Sequence, residues 1–186
     1  MVDLFNYTRR ASSVAHIGAI DLGGDNPIRI QSMTTTNTND TEACVRQAEE
    51  IIKAGGELVR FTTQGSREAE NMKNINAGIR ADGYRTPLVA DVHFNPNVAD
   101  VAALYCEKVR VNPGNYVDPA RKFIKQEYTD EEYAHELQKI EVRFVPFLNI
   151  CKEHHTAIRI GVNHGSLSDR IRNRYGDTPE GIVESC

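Results

Sequence analysis

Pro87-Leu-Val-Ala-Asp-Val-His-Phe-Asn-Pro96 and Lys108-Val-Arg-Val-Asn-Pro-Gly-Asn115 are two apolar runs that both end in polar side chains and a proline. A segment of helical length separates them. Two strands joined in this way are typical of a parallel sheet, whose polar side chains gather at the carboxyl ends of the strands. The stretch therefore predicts an α/β protein with its chemistry at that edge.

The same unit recurs along the whole chain. Further strand-length apolar runs lie at 27–33, 58–62 and 157–160. Five successive βα units predict a partial TIM-type (β/α) barrel, since a complete barrel needs about 250 residues and this chain has 186. We expect residues 1–186 to be the N-terminal part of a substrate-binding barrel. A doubly wound sheet is the alternative, but no Gly-rich phosphate motif follows the first strand.

Signals at helix starts and turns complete the expected architecture. Residues 14–23 alternate around a glycine, which predicts a short N-terminal β-hairpin before the barrel. Helix starts are predicted at Asp40 or Thr41, Ser66, Asn97, Asp118-Pro119, Thr129, Ser166 and Thr178. Thr129 and Glu132 form a capping-box pattern, and the helix that follows is expected to reach His154.

Composition excludes several classes of partner. The net charge is −4, with 40% hydrophobic and 26% charged residues, which argues against nonspecific binding to nucleic acid or acidic membranes. No apolar run approaches the ~18 residues of a membrane helix. The first ten residues have no apolar signal core, so we expect a cytoplasmic protein.

The cysteines do not form a recognisable metal motif. Cys44, Cys106, Cys151 and Cys186 are far apart and make no Cys-x-x-Cys pair. We expect no metal or iron–sulfur site built from this chain alone. We interpret the four cysteines as small, buried or half-buried thiols of a protein in a reducing compartment.

Three strands carry an arginine between apolar neighbours, at Arg60, Arg110 and Arg159. Because strand side chains alternate between two faces, each arginine points away from those neighbours and into the expected barrel interior. A guanidinium offers a planar set of donors suited to phosphate. Three together predict an anion site, and structural ion pairing, for instance to Asp91, is the alternative.

Other polar residues follow the strands closely. Asp91 and His93 share one strand face, and a carboxylate there can orient the imidazole or bind a sugar hydroxyl. Asn112 and Asn163 come directly after strands, although asparagine is also favoured in turns. Ser166 is expected to begin a helix whose free N–H groups suit a phosphate. No nucleophile stands out, so the residues predict a site for a phosphorylated, hydroxyl-bearing small molecule.

Five motifs, in order, are similar to one known family: Gln31-Ser-Met-Thr34, Leu58-Val-Arg60, residues 87–94, Arg110-Val-Asn-Pro-Gly-Asn115 and Arg159-Ile-Gly-Val-Asn-His-Gly-Ser-Leu-Ser-Asp-Arg170. They resemble the N-terminal barrel of the 4-hydroxy-3-methylbut-2-enyl diphosphate synthase (IspG/GcpE) family. Asn163-His-Gly-Ser166, with Tyr175-Gly-Asp177 after it, resembles the longer, three-domain type.

The resemblance implies an oxidoreductase of the methylerythritol phosphate route to isoprenoids. Such enzymes reduce and open 2-C-methyl-D-erythritol 2,4-cyclodiphosphate to give 4-hydroxy-3-methylbut-2-enyl diphosphate. Electrons arrive from flavodoxin or ferredoxin through a [4Fe–4S] cluster. The cluster ligands, the rest of the barrel and an inserted domain are expected outside this chain, so this part alone is expected to be inactive.

The resemblance also assigns roles to site residues. Arg60, Arg110 and Arg159 are expected to hold the diphosphate. The remaining substrate-binding residues are expected to be Asp91, His93, Asn112, Asn163 and Ser166. No catalytic or metal-binding residue is expected in this chain.

Two other functions are alternatives to the one that the resemblance implies. The first alternative is a stand-alone phosphosugar-binding half-barrel, and the second is a pterin-binding-type barrel enzyme without iron–sulfur chemistry. Because five strands cannot close a barrel, open edges and apolar faces predict self-association of this chain.

Overall fold

The computed structural model describes residues 10–93, 95–118 and 127–186. Within these residues seven strands form two sheets. Their bounds are β1 Ala15–Ile17, β2 Ile20–Leu22, β3 Gln31–Met33, β4 Leu58–Thr63, β5 Leu88–Val92, β6 Lys108–Val111 and β7 Ala157–Ile160. β1 and β2 pair as an antiparallel hairpin, which confirms the predicted N-terminal element.

The five remaining strands form one parallel sheet in the order β3-β4-β5-β6-β7. Strand order follows chain order throughout, as a barrel requires, whereas a doubly wound sheet reverses its direction of growth at a switch point. The barrel-type α/β fold is thus confirmed and the doubly wound alternative is not. The first strand is shorter than predicted and begins at Gln31, although the Ile30 carbonyl still accepts from the Glu57 and Leu58 amides at 2.8 and 3.1 Å.

The described part of the chain has six α-helices that connect or follow the strands. Their bounds are α1 Thr41–Lys53, α2 Ser66–Ala81, α3 Pro96–Ala103, α4 Asp130–Glu153, α5 Asp169–Tyr175 and α6 Pro179–Ser185. Asp40 caps α1 by accepting from the Ala43 amide at 3.0 Å. The capping box of α4 is present: Thr129 and Glu132 exchange bonds of 2.8 and 3.2 Å. The helix predicted to open at Asp118-Pro119 falls largely outside the described residues.

Two predictions about helix starts are wrong. The first concerns only the cap: α2 begins at Ser66, but its cap is Gly65, whose amide donates to the Glu68 carboxylate at 3.0 Å. After β7, residues 164–166 form a single 3₁₀ turn, which the extended backbone of Leu167 ends. The helix there is α5, capped by Ser168 rather than by Ser166.

Side chains along each strand point alternately to the two faces of the sheet, and an apolar cluster lies on each face. Val59, Phe61 and Ala90 face the helices and join the main core with Met72 and Ile75 of α2. On the opposite face, Leu58 and Val89 pack with Ile17 of the hairpin. That second face is the lumen of the barrel, and the hairpin covers its N-terminal end.

None of the described helices combines the length and the apolar character that crossing a bilayer requires.

Candidate functional site

Asp91 is the centre of a polar cluster on the lumen face of the sheet. It lies near the carboxyl end of β5 and is 3% exposed. Its Oδ2 accepts a short bond from Nη2 of Arg60. Its Oδ1 lies 3.3 Å from Nη1 of Arg110 and 3.1 Å from Nε2 of His93. The strands therefore bring together four residues predicted for the site: Arg60, Asp91, His93 and Arg110.

The imidazole of His93 faces two partners of opposite charge. Its Nε2 lies 2.9 Å from Nη1 of Arg110 as well as 3.1 Å from Asp91. An unprotonated Nε2 accepts from the guanidinium, whereas a protonated Nε2 donates to the carboxylate. His93 can therefore satisfy only one of these neighbours at a time.

The carboxylate of Asp91 is held in its ionised form. Burial alone raises its pKa, but the hydrogen bonds from His93 and Arg60, with their charges, outweigh that effect and leave the pKa below its usual value. For Arg110, burial lowers the pKa, Asp91 opposes this, and the nearby Arg60 and Arg159 add to the lowering. The cluster thus carries more positive than negative charge.

The three arginines do not occupy equivalent levels of the lumen. Asp91, Arg110 and Arg159 are register partners across β5, β6 and β7. Arg60 pairs with Val89 instead, which places it one layer closer to the N-terminal end of the sheet. The stagger between parallel strands that a barrel requires accounts for this difference.

Arg159 differs from the other two arginines in its surroundings. It is exposed, and it has no hydrogen bond or ion pair with any residue the structure describes. The Nε of Arg60 is buried and has no hydrogen-bond partner. Both groups are donors available to an anion in the lumen.

A glycine next to β7 makes room for Arg110. The Nη2 of Arg110 donates to the Gly161 carbonyl at 2.7 Å. A Cβ at position 161 would lie only 1.9 Å from the Arg110 Nε. The guanidinium therefore lies directly over the glycine backbone, and any side chain there would displace it.

The remaining predicted site residues lie in loops and bond within them. Asn112 is buried, and its Oδ1 accepts from the Gly114 amide at 3.1 Å and from the Ser185 hydroxyl at 3.0 Å. Its Nδ2 is buried without a partner. Asn163 is exposed, and its carbonyl accepts from the amide and hydroxyl of Ser166 at 3.0 and 3.1 Å. These bonds give Asn112, Asn163 and Ser166 local roles.

Two residues near the site were missed by the sequence reasoning. Lys108 lies two residues before Arg110 on β6, so the period-two rule places it on the same lumen face. Ser185 of α6 contacts Asn112 across 73 positions of sequence, and no local pattern signals such a contact.

The thiols do not fit a metal cluster. Cys44, Cys106 and Cys151 are buried, and burial raises the pKa of each, for Cys151 to about 12. Thiolate is the ligand form, so burial disfavours it. Among the described residues no three or more His, Cys, Asp or Glu side chains are grouped to hold a metal ion.

Comparison with known proteins gives a consistent result. Residues 12–186 match the family model described as the GcpE TIM-barrel domain. A relative from Phocaeicola vulgatus is 76% identical over 185 residues, and one from Akkermansia muciniphila is 52% identical over 182. Both bear the name 4-hydroxy-3-methylbut-2-en-1-yl diphosphate synthase (flavodoxin). The matches cover 100% and 98% of this chain, which spans only 30% and 31% of the relatives' lengths.

Similarity to solved structures is weaker. The chain is similar to dihydropteroate synthase of Burkholderia cenocepacia complexed with 7,8-dihydropteroate, with a TM-score of 0.46 and 15% identity. The match covers 91% of this chain and 74% of that one. This degree of similarity does not bear on the pterin-binding alternative.

Proposed function

Because the chain belongs to the GcpE TIM-barrel domain family, we propose that it forms the diphosphate-binding part of a 4-hydroxy-3-methylbut-2-en-1-yl diphosphate synthase. Its substrate in this proposal is 2-C-methyl-D-erythritol 2,4-cyclodiphosphate. The whole protein reduces and opens that ring. The high identity to relatives of that name supports the assignment.

One observation carries the proposal. Four cationic side chains of the described residues face the lumen around a single carboxylate, Asp91: Arg60, Lys108, Arg110 and Arg159. Gathering so many like charges, two of them buried, is unfavourable without a counter-ion. A diphosphate supplies the missing negative charge and accepts charge-assisted hydrogen bonds.

The residues divide into two roles in the proposed complex. Asp91 holds Arg60 and Arg110 in place, and because a guanidinium has five N–H donors both keep donors for the diphosphate. Arg159 is available to join them. His93 lies beside Arg110 at the carboxyl edge, where a ring hydroxyl can reach it. Asn112 offers its unpartnered Nδ2, and Asn163 and Ser166 contribute only if their loop closes over the ligand.

The redox part of the reaction belongs to groups that this chain does not supply. In the proposal the whole protein carries a [4Fe–4S] cluster, which delivers electrons from flavodoxin or ferredoxin in a bacterial cytoplasm. The dispersed thiols of this chain, three of them buried, do not fit as its ligands. Residues 1–186 therefore contribute binding and orientation of the substrate.

The open edges of the sheet support the expected self-association of the isolated chain. Ile28 and Ile30 near the β3 edge are 82% and 61% exposed, and Val142 on α4 is 69% exposed. Apolar surface next to a free strand edge favours association. Light scattering at micromolar concentration tests this, and a single monomeric species would contradict it.

The proposed function is tested on the protein expressed from its complete reading frame. Calorimetric titration with the cyclic diphosphate is compared between the wild type, Arg110→Met and Arg143→Met. Arg143 pairs with Asp100 away from the lumen, so that variant is the matched control. We expect Arg110→Met to weaken binding at least about tenfold, because charge-assisted bonds contribute about 1.5–3 kcal/mol. Equal affinity in all three proteins would overturn the proposal.

A further inference from the structure

Lys108 is a buried cation on the lumen face that the family resemblance did not single out. It opens β6 and is 7% exposed. Its register partners are Val89 and Ala157, which places it in the same layer as Arg60. Arg110 lies two residues further along β6, about 7 Å away at the backbone.

The ammonium of Lys108 has no hydrogen bond or ion pair with any described residue. It lines a lumen cavity of about 320 Å³ together with Gln31 and Arg159, and Ile17 and Leu58 form an apolar part of the wall. A buried charge without a partner is costly. An anion in the lumen would offset this cost.

The charges around Lys108 do not provide that compensation. Asp91 is the one carboxylate of the described lumen residues, and its two oxygens already bind Arg60, Arg110 and His93. Burial first, and then the positive charges of Arg159 and Arg60, lower the pKa of Lys108 from its usual 10.5 to about 8. Apart from Gln31, the described strands thus surround the ammonium with apolar and positive groups.

We propose that Lys108 is an anion-binding residue, whose ammonium contacts the diphosphate from the inner side of the lumen while Arg110 and Arg159 hold it from the layer above. This inference rests on the proposed function, because it assumes that an anion enters this lumen. It adds a ligand contact below the layer of Asp91, and it makes the lumen a two-layer site.

A consequence is that binding takes up a proton. An anion next to the amine favours its charged form, so a partly neutral Lys108 is protonated when the ligand arrives. Affinity should therefore fall as the pH rises past about 8. The other charged or titratable groups facing this space are Arg29, which pairs with Glu57, Arg60 on β4, Asp91 and His93 on β5, and Arg159 on β7. A Lys108→Arg variant retains all of them, so it isolates the contribution of the lysine.

The test uses inorganic pyrophosphate as the probe and the protein from its complete reading frame. Dissociation constants are measured by calorimetry at about pH 7 and about pH 9, on either side of the lysine pKa. The proteins are the wild type, Lys108→Met, Lys108→Arg, Arg110→Met and Lys73→Met. Lys73 is exposed on α2, so its replacement removes a charge outside the lumen.

We expect Lys108→Met to weaken pyrophosphate binding at about pH 7 by roughly tenfold, and Lys73→Met to leave it unchanged. Lys108→Arg should keep most of the affinity at about pH 7. Its affinity should fall less than that of the wild type between about pH 7 and about pH 9, because a guanidinium stays charged. Protonation of pyrophosphate itself affects the wild type and Lys108→Arg equally, so it cancels in the ratio of their dissociation constants.

The outcomes separate this inference from the proposed function. If Lys108→Met binds as tightly as the wild type while Arg110→Met does not, the inference is overturned and the proposed function stands. If the wild type does not bind pyrophosphate, both are overturned.

A second measurement needs only the conservative Lys108→Arg variant, and only for assignment. The Lys108 ammonium is titrated by NMR with and without pyrophosphate, after assignment by its absence in Lys108→Arg. We expect its pKa to rise when pyrophosphate is bound. An unchanged pKa in the bound state would overturn the inference.

Discussion

Arg110 and Arg159 are register partners on neighbouring strands. The Arg110 side chain has three hydrogen-bond partners, whereas the Arg159 side chain has none among the described residues. Arg110 is 7% exposed and bonds to Asp91, His93 and Gly161. Arg159 lies beside it in the same layer and is exposed. One guanidinium is fixed before any ligand arrives, and the other remains available to it.

Arg159→Met should therefore separate binding from stability. The free energy of unfolding should change by less than about 0.5 kcal/mol, as is usual for exposed positions without partners. Affinity for the cyclic diphosphate should fall about tenfold, because a charge-assisted contact is lost. Urea unfolding and calorimetric titration of the same sample measure both quantities. A large loss of stability would show that Arg159 has a structural partner.

Asp91→Asn should destabilise the protein by roughly 3 kcal/mol, because removal of one member of a buried ion pair leaves its partners uncompensated. Pyrophosphate should restore part of this loss by supplying negative charge to Arg60 and Arg110. Asp100→Asn is the control, since Asp100 pairs with Arg143 at a partly exposed site and should cost at most about 1 kcal/mol. Equal losses in the two variants would contradict a special role for Asp91.

The acid dependence of stability gives an independent check on Asp91. Its folded-state pKa lies below its usual value, so its contribution is present above about pH 4 and is lost as the pH falls through the folded pKa. Urea unfolding below about pH 4 should show a shallower loss of stability in Asp91→Asn than in the wild type. Parallel curves would mean that the carboxylate is not stabilised on folding.

Gly161→Ala should impair binding although position 161 has no side chain to contact a ligand. The new Cβ would overlap the Arg110 Nε, so the guanidinium must leave the Gly161 carbonyl and its place beside Asp91. Affinity for the cyclic diphosphate should approach that of Arg110→Met. Gly165→Ala is the control, because a Cβ there meets no described atom within 4 Å. Wild-type affinity in Gly161→Ala would show that Arg110 can move without loss.

Lys108→Met should make the ligand-free protein more stable. The lysine pKa falls from 10.5 to about 8 on folding, so its unfavourable contribution is fully present below about pH 8 and disappears as the pH rises toward 10.5. A shift of this size corresponds to roughly 3 kcal/mol near neutral pH. Urea unfolding at several pH values measures the difference, and Lys73→Met is the control. A less stable Lys108→Met at neutral pH would contradict the assigned environment.

The fold was largely predictable because its signals are local. The runs ending at Asp91 and Val111 are short, apolar and followed by polar residues, and Thr129 with Glu132 marks a helix start within four residues. Ser66 and Ser166 misled the prediction, because the cap also depends on the neighbours: Glu68 stabilises Gly65 as the cap of α2, and the extended Leu167 delays α5.

The site was predictable in its residue types and less so in its layers. Period-two alternation brought Arg60, Asp91 and Arg110 to one face, as the structure has them. The stagger of β4 against β5 places Arg60 one layer deeper, and the sequence of neither strand specifies that stagger. The contact between Asn112 and Ser185 depends on how α6 folds back, which no short-range pattern specifies.

The hairpin of β1 and β2 has a kinetic consequence for the proposed reaction. Ile17 packs against Leu58 and Val89 at the inner end of the lumen, so in the proposed reaction we expect substrate and product to pass through the carboxyl end of the strands. Product has to leave by the way substrate comes in. Each turnover then requires departure before the next arrival, and product inhibition should be competitive with substrate.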